Sequence, residues 1–353
     1  MAGPLVLGAM VIIGTAVAAQ AIRLRLDSQI TQIQQDLPQY LFSGPYTVLH
    51  STGQLLVAPS VACSTKGYNL TLTLTSPARV PELYDASVPV VIMFSGFQLP
   101  SSYYKTYAKA LASWGYAVLQ YDLPGWMLKT IIKDDDEVAC LLPALLTWVK
   151  AQSRDPNSAI YEMIDLRRVG VMGHSRGAKL AALILAGAES GVSVGVLVDP
   201  MDMTRVTKQL HYPSAVEALA DSSHKPVSAL LIGAGVQGWC NPADEGWKKF
   251  QPVLSGWMLE VTKAGHMSFT DAKGAAAWSW DHVCGCGNVT HKVVMHEVGA
   301  SAVAWMESKF RPVESAGKVA SYLAWARAGS GQGEYNFTTP PEPTPPEPAP
   351  SEP

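Results

Sequence analysis

The sequence predicts an α/β fold: a mostly parallel central sheet with helices on both faces. Three observations predict it. Short apolar runs alternate with stretches of helical periodicity between about residues 45 and 312. Most of those runs close on Gly, Asp or another polar residue, the form taken by strands buried on both faces. One of them passes into Gly173-His174-Ser175-Arg176-Gly177 and then an Ala-rich helix, so a GxSxG pattern sits at a strand-to-helix boundary.

In chain order, the strand-like runs are 68–75, 88–94, 116–121, 169–172, 194–199, 227–232 and 258–261. Between them, 101–114 carries Tyr103, Tyr107, Leu111 and Trp114 at helical spacing and stops at Gly115. The stretch 134–150 opens with Asp134, Asp135, Asp136 and Glu137. Four carboxylates in a first turn suit the positive end of a helix dipole, so they read as caps rather than as a metal site. A third helix starts at Ser175 and a fourth covers about 300–310. Alternating strands and helices give a sheet whose ligands bind at the carboxyl ends of its strands. The chemistry is expected there.

Composition narrows the class. The chain has 353 residues with 26 basic and 29 acidic side chains, a formal net charge of −3. Charged residues are 16% of the chain, against about 25% in an ordinary soluble domain. With no long Lys/Arg run, electrostatically driven nucleic-acid binding is excluded. A hydrophobic content of 48% excludes disorder of the whole chain. Only one segment is apolar for long enough to span a membrane, which excludes a polytopic membrane protein.

That segment lies at the start. No charge precedes Arg23, and residues 4–21 are mainly Leu, Val, Ile, Ala and Gly. Residues 1–26 read as a targeting or membrane-anchor segment, although a basic n-region is missing. The expected catalytic domain covers 27–329, and 330–353 reads as a disordered Pro/Glu-rich tail. The five cysteines are Cys63, Cys140, Cys240, Cys284 and Cys286. Cys284-Gly-Cys286 is one residue short of CxxC and has no second pair to complete a zinc site, so it reads as two thiols or a local disulfide.

The serine elbow carries the chemistry. A nucleophilic serine must stand on a tight, strained turn above the sheet, and flanking glycines let strand and helix pass closely. Its hydroxyl needs a base. Gly265-His266 follows the strand at 258–261 and is the best placed of the eight histidines. The acid that orients the imidazole is read as Asp199, at the end of the strand 194–199, with Asp244, in the loop after 227–232, as the alternative. Asp202 reads as a local cap. The oxyanion needs two N–H groups. Arg176 supplies one and Phe97 the other, in the turn Ser95-Gly96-Phe97 after the strand 88–94. Asp122, in an Asp-Leu-Pro-Gly turn, reads as structural.

Gly-His-Ser-Arg-Gly with arginine after the serine resembles the lipase-type motif of plant and green-algal chlorophyllases. The likeness runs from about 54 to 310. It includes the turn at 95–97, Val198-Asp199-Pro200, Cys240-Asn241-Pro242 and Gly265-His266. The resemblance implies an α/β-hydrolase fold and hydrolysis of the phytyl ester of chlorophyll. It gives Ser175, Asp199 and His266 the roles of nucleophile, acid and base, and it implies a chloroplast setting. No cofactor is needed for ester hydrolysis. Chlorophyll or a related pigment ester is the implied substrate, and the low charge content fits a membrane surface. The chain departs from the family at Ser95, where a His is usual, and at Ala178, where a second Gly is common. The architecture is also similar to platelet-activating-factor acetylhydrolases and cutinases, and a non-catalytic pigment or lipid binder is the other class of reading. The segment 203–226 is long enough for a lid. Trp126, Trp239, Trp247, Trp278 and Trp280 fall in expected loops near the same edge, where broad aromatic planes could hold a tetrapyrrole or alkyl chain.

Overall fold

Seven consecutive buried residues in Val88–Phe94 (β3) leave no face for water, which is what a strand covered on both sides requires. The same holds for Val194–Val198 (β6). In the computed structural model these strands lie inside a ten-stranded sheet. The structure describes residues 37–59, 67–83, 87–125, 130–187, 191–192, 194–221, 227–331 and 335–340. The apolar segment 1–26 and most of the Pro/Glu-rich tail lie outside them. Among the described residues no helix is long and apolar enough to cross a membrane.

The remaining strands are Val48–Val57 (β1), Tyr68–Pro77 (β2), Ala117–Asp122 (β4), Ile164–His174 (β5), Val227–Ala234 (β7), Leu254–Ser255 (β8), Met258–Val261 (β9) and Tyr335–Thr338 (β10). Their spatial order is β1-β2-β4-β3-β5-β6-β7-β9-β10, and β8 pairs with β7. From β4 through β9 every pairing is parallel. The edges are antiparallel, with β1 on β2, β2 on β4 and β10 on β9. The expected mostly parallel α/β sheet is what the chain forms.

Several expectations are corrected. The strand β10 extends the sheet with Tyr335 and Phe337 buried, so the tail expected from 330 does not begin before 339. The helix at 101–114 starts as a 3-10 turn, Ser101–Tyr104, and becomes α only over Lys105–Ser113. The last expected helix is twice as long as its apolar core suggested, His291–Phe310. The segment 203–226 is no simple lid. Its helix Ala215–Asp221 buries Ala215 and Leu219 in the main core beside the helix Arg176–Ala186. Trp278 and Trp280 lie on a helix, Gly274–Cys284, rather than in a loop. Trp247 is buried against Gly233, its indole N–H donating to the Ala234 carbonyl at 2.9 Å. Trp126 lies outside the described residues.

Close backbone packing sets the elbow. A Cβ on Gly173 would stand 2.2 Å from the carbonyl oxygen of Gly177, and one on Gly177 would stand 2.3 Å from that of Phe94. Helix, elbow and β3 therefore touch backbone to backbone. Gly177→Ala should lose about 1–3 kcal/mol of stability by overpacking. Gly317→Ala, in the helix Ala316–Gly331 with open space at its Cβ, should be neutral or gain up to about 1 kcal/mol. Urea titrations of the two variants check this, and a silent Gly177→Ala would contradict it.

Candidate active site

Ser175 links β5 to the helix Arg176–Ala186 at φ 57° and ψ −123°. A non-glycine residue in that region is strained, and here the strain is held by bonds on either side. The Ser175 N–H donates to the Val198 carbonyl at 3.0 Å, and the Ser175 carbonyl accepts the Ala178 N–H at 3.0 Å. The hydroxyl is thereby presented at the carboxyl end of the sheet, on the helix N-terminus.

His266 opens a 3-10 turn, His266–Phe269, just after β9. Its Nε2 lies 2.9 Å from Ser175 Oγ, and its Nδ1 lies 2.5 Å from Asp199 Oδ2. Asp199 follows β6 at φ 41° and is fully buried. A buried carboxylate needs donors. Besides His266 it accepts the Ala234 N–H at 2.9 Å and the Asn241 side-chain amide at 3.1 Å. The structure thus brings Ser175, His266 and Asp199 together. It does not bring Asp244 to them; that residue is exposed. Asp202 caps the helix Ala215–Asp221, accepting the Ala215 N–H at 2.7 Å. Asp122 accepts from the Ser101 N–H and hydroxyl at 3.0 and 2.6 Å. Both are structural, as their positions suggested.

Phe97 and Arg176, the residue after the serine, line one cleft together with Leu99, Leu123, Ile131 and Glu137. Gly96, Phe97, Gln98 and Leu99 form a turn closed by the Leu99 N–H on the Gly96 carbonyl at 3.0 Å, with Gln98 at φ 60°. Positive φ at the third residue is the mark of a type II turn, in a position that usually favours glycine. The site therefore holds three non-glycine residues in the left-handed region: Gln98, Ser175 and Asp199.

Sequence reasoning missed the side chains that hold these groups. The four carboxylates at 134–137 are not merely caps. Asp134 and Glu137 are buried and pair with Arg176 at 2.8 and 2.7 Å, while Lys179 reaches Asp134 at 2.8 Å. Burial opposes the charge on Arg176, but Glu137 and Asp134 outweigh it and hold its pKa above the ordinary value. Four charges that cancel make burial tolerable, and their signature is a pair of charged residues three apart in the first turn of each helix, Asp134 with Glu137 and Arg176 with Lys179. The cysteine expectation is also corrected. Cys284 is bonded to Cys240, and Cys286 is a free, exposed thiol. That bridge joins the loop carrying Asn241 to the segment packed over Gly265, whose Cβ would stand 2.0 Å from the Gly285 carbonyl.

His174, the residue before the serine, is fully buried beside the base, its ring 4.6 Å from that of His266. Burial, with the neighbouring imidazole adding to it, holds its pKa well below the ordinary 6.5, so it is neutral in the fold.

A sequence model of the chlorophyllase family matches residues 51–319, well over half of the chain. No curated protein matches it.

His174 also ties stability to pH. On unfolding it regains its ordinary pKa of 6.5, so below that pH the unfolded chain binds one more proton than the folded one. Its contribution is whole above 6.5 and is lost as the pH falls toward the depressed folded value, with a slope of at most about 1.4 kcal/mol per pH unit. His174→Gln should therefore lose less stability than the wild type between pH 7.5 and 5.5 in urea titrations. Equal losses would contradict the neutral, buried assignment.

Proposed function

The chain belongs to the chlorophyllase family, and we propose that it is a serine carboxylic-ester hydrolase that cleaves the phytyl ester of chlorophyll to chlorophyllide and phytol. The observation that carries this reading is the continuous run of hydrogen bonds from Asp199 through His266 to Ser175 at the carboxyl ends of the parallel strands. The family itself is one of ester hydrolases.

In the proposed mechanism, Ser175 Oγ attacks the ester carbonyl as its proton passes to His266 Nε2. The imidazolium so formed is held through its Nδ1–H by the Asp199 carboxylate, which stays ionised. The oxyanion lies against the backbone N–H groups of Phe97 and Arg176. Neither N–H has a partner among the described residues, and that of Arg176 stands at a helix N-terminus that favours negative charge. His266 then gives its proton to the phytol oxygen, which leaves. Water enters, gives a proton to His266 and attacks the acyl-enzyme. Collapse returns that proton to Ser175 and releases chlorophyllide.

A greasy substrate fits the rim of the site. Phe97, Ile131, Val206, Leu210, Trp239 and Trp278 are large, apolar and exposed. Each belongs to a segment that follows the carboxyl end of a parallel strand: β3, β4, β6, β6, β7 and β9 in turn. Of these, Phe97 and Ile131 line the cleft that Arg176 also lines, which gives an alkyl chain apolar surface to pack on. A pigment ester as substrate would set the enzyme in the chloroplast.

Chromatography of chlorophyll after incubation with the purified protein tests the reading. Chlorophyllide and phytol should appear with the wild type. Ser175→Ala should lose at least about 10³-fold in rate while its circular dichroism is unchanged. Asp199→Asn should cost about 10⁴-fold in kcat, whereas Asp244→Asn should stay near the wild type. Turnover that survives Ser175→Ala would overturn the mechanism, and cleavage of simple esters with no action on chlorophyll would overturn the substrate.

A further inference from the structure

Two halves of the site come from distant parts of the sheet. The turn bearing Gly96 and Phe97 follows β3, and His266 follows β9, with β5, β6 and β7 between those strands. No shared strand pairing sets the distance between an oxyanion donor and the base. We propose that Tyr104 and His174 are positioning residues that lock the oxyanion turn to the general base, an inference that rests on the esterase reading above.

The bridge has three bonds, each 3.0 Å long: Gly96 N–H to Tyr104 Oη, Tyr104 Oη to His174 Nδ1, and His174 Nε2 to the His266 carbonyl oxygen. Donor and acceptor directions follow from the end groups. The His266 carbonyl can only accept, so Nε2 carries the His174 proton. Nδ1 is then an acceptor and takes the Tyr104 hydroxyl hydrogen, which leaves a Tyr104 lone pair for the Gly96 N–H. The three bonds thus run in one direction, and only the neutral imidazole allows it. Tyr104 and His174 are fully buried and His266 almost so, which leaves no water to substitute.

Gly96 is shaped for this contact. A Cβ there would lie 3.0 Å from Tyr104 Oη and 3.2 Å from His174 Nδ1. Because Tyr104 takes the Gly96 N–H, that group is not an oxyanion donor, and the next one, on Phe97, is left to face the cleft. The bond to the His266 carbonyl fixes the backbone of the residue whose Nε2 must stay 2.9 Å from Ser175 Oγ. The bridge therefore sets where the oxyanion donor and the imidazole stand relative to each other. A displacement of about 1 Å between such groups costs on the order of 10²-fold in rate.

The test compares wild type, Tyr104→Phe, His174→Leu and His174→Gln on a short-chain nitrophenyl ester, with folding followed by circular dichroism and thermal melting. Tyr104→Phe removes one oxygen atom and should lower kcat about ten- to hundredfold with KM within about twofold. His174→Leu should do the same or worse. His174→Gln offers a carbonyl to Tyr104 and an amide N–H to His266, and should recover at least about tenfold in kcat over His174→Leu. A merely structural role would lower melting temperature in all three without that split or rescue. The proposal is overturned if folded Tyr104→Phe keeps wild-type kcat, or if folded His174→Gln gains nothing over His174→Leu. Should His174→Leu fail to fold, the Tyr104→Phe result decides alone. A folded wild type that does not turn over the ester overturns the esterase reading itself, an outcome distinct from active variants.

Discussion

The buried carboxylate of Asp199 is the constraint on which the site depends. A carboxylate without water must be surrounded by donors or give up its charge. Here the donors come from the end of β7, from the loop beyond it and from the turn after β9. Satisfying one charge therefore brings three separately folded segments to one point. The strained backbone of Asp199 itself is held by its N–H on the Ile232 carbonyl at 2.6 Å. With the acid set in this way, the imidazole has one orientation and the serine has one partner.

A second set of buried charges does for the cleft what Asp199 does for the base. Arg176, Lys179, Asp134 and Glu137 cancel one another, and Glu137 also accepts from the Tyr121 hydroxyl, whose pKa burial and that carboxylate push well up. The first turn of the helix after the serine is thus clamped to the helix Asp134–Gln152, and two members of the cluster, Arg176 and Glu137, line the cleft. Such a cluster adds little net stability, since desolvation offsets attraction, but losing one member leaves a charge unpaired in the core. It is a device for fixing geometry. The arginine that distinguishes the elbow motif is one of its members, so its side chain serves position.

How much of this was legible in the sequence follows from the range of the forces involved. The central strands could be read because burial on both faces leaves local apolar runs, as in β3 and β6. The edge strand β1 escaped because most of its side chains are exposed and a polar stretch, His50–Gln54, splits its apolar residues, and β10 because its four residues adjoin a Pro/Glu-rich stretch. Ser175 and His266 were visible through their glycines, which mark close backbone passage. The choice between Asp199 and Asp244 rested on distance from a strand end, and the geometry places only Asp199 beside the imidazole. Tyr104 left no signal, and His174 and Asn241 appeared only as members of motifs without a role, since each acts through a partner far along the chain. Nor could spacing pair Cys284 with Cys240 rather than with its neighbour two residues on.

The central claim is that Ser175 is a nucleophile because His266 and Asp199 make it one. Treatment of the folded protein with a fluorophosphonate, followed by peptide mass spectrometry, tests it directly. The account predicts one label per chain, on Ser175, and none in a folded His266→Ala variant. A folded wild type that takes no label, or takes it on another serine, would contradict the account.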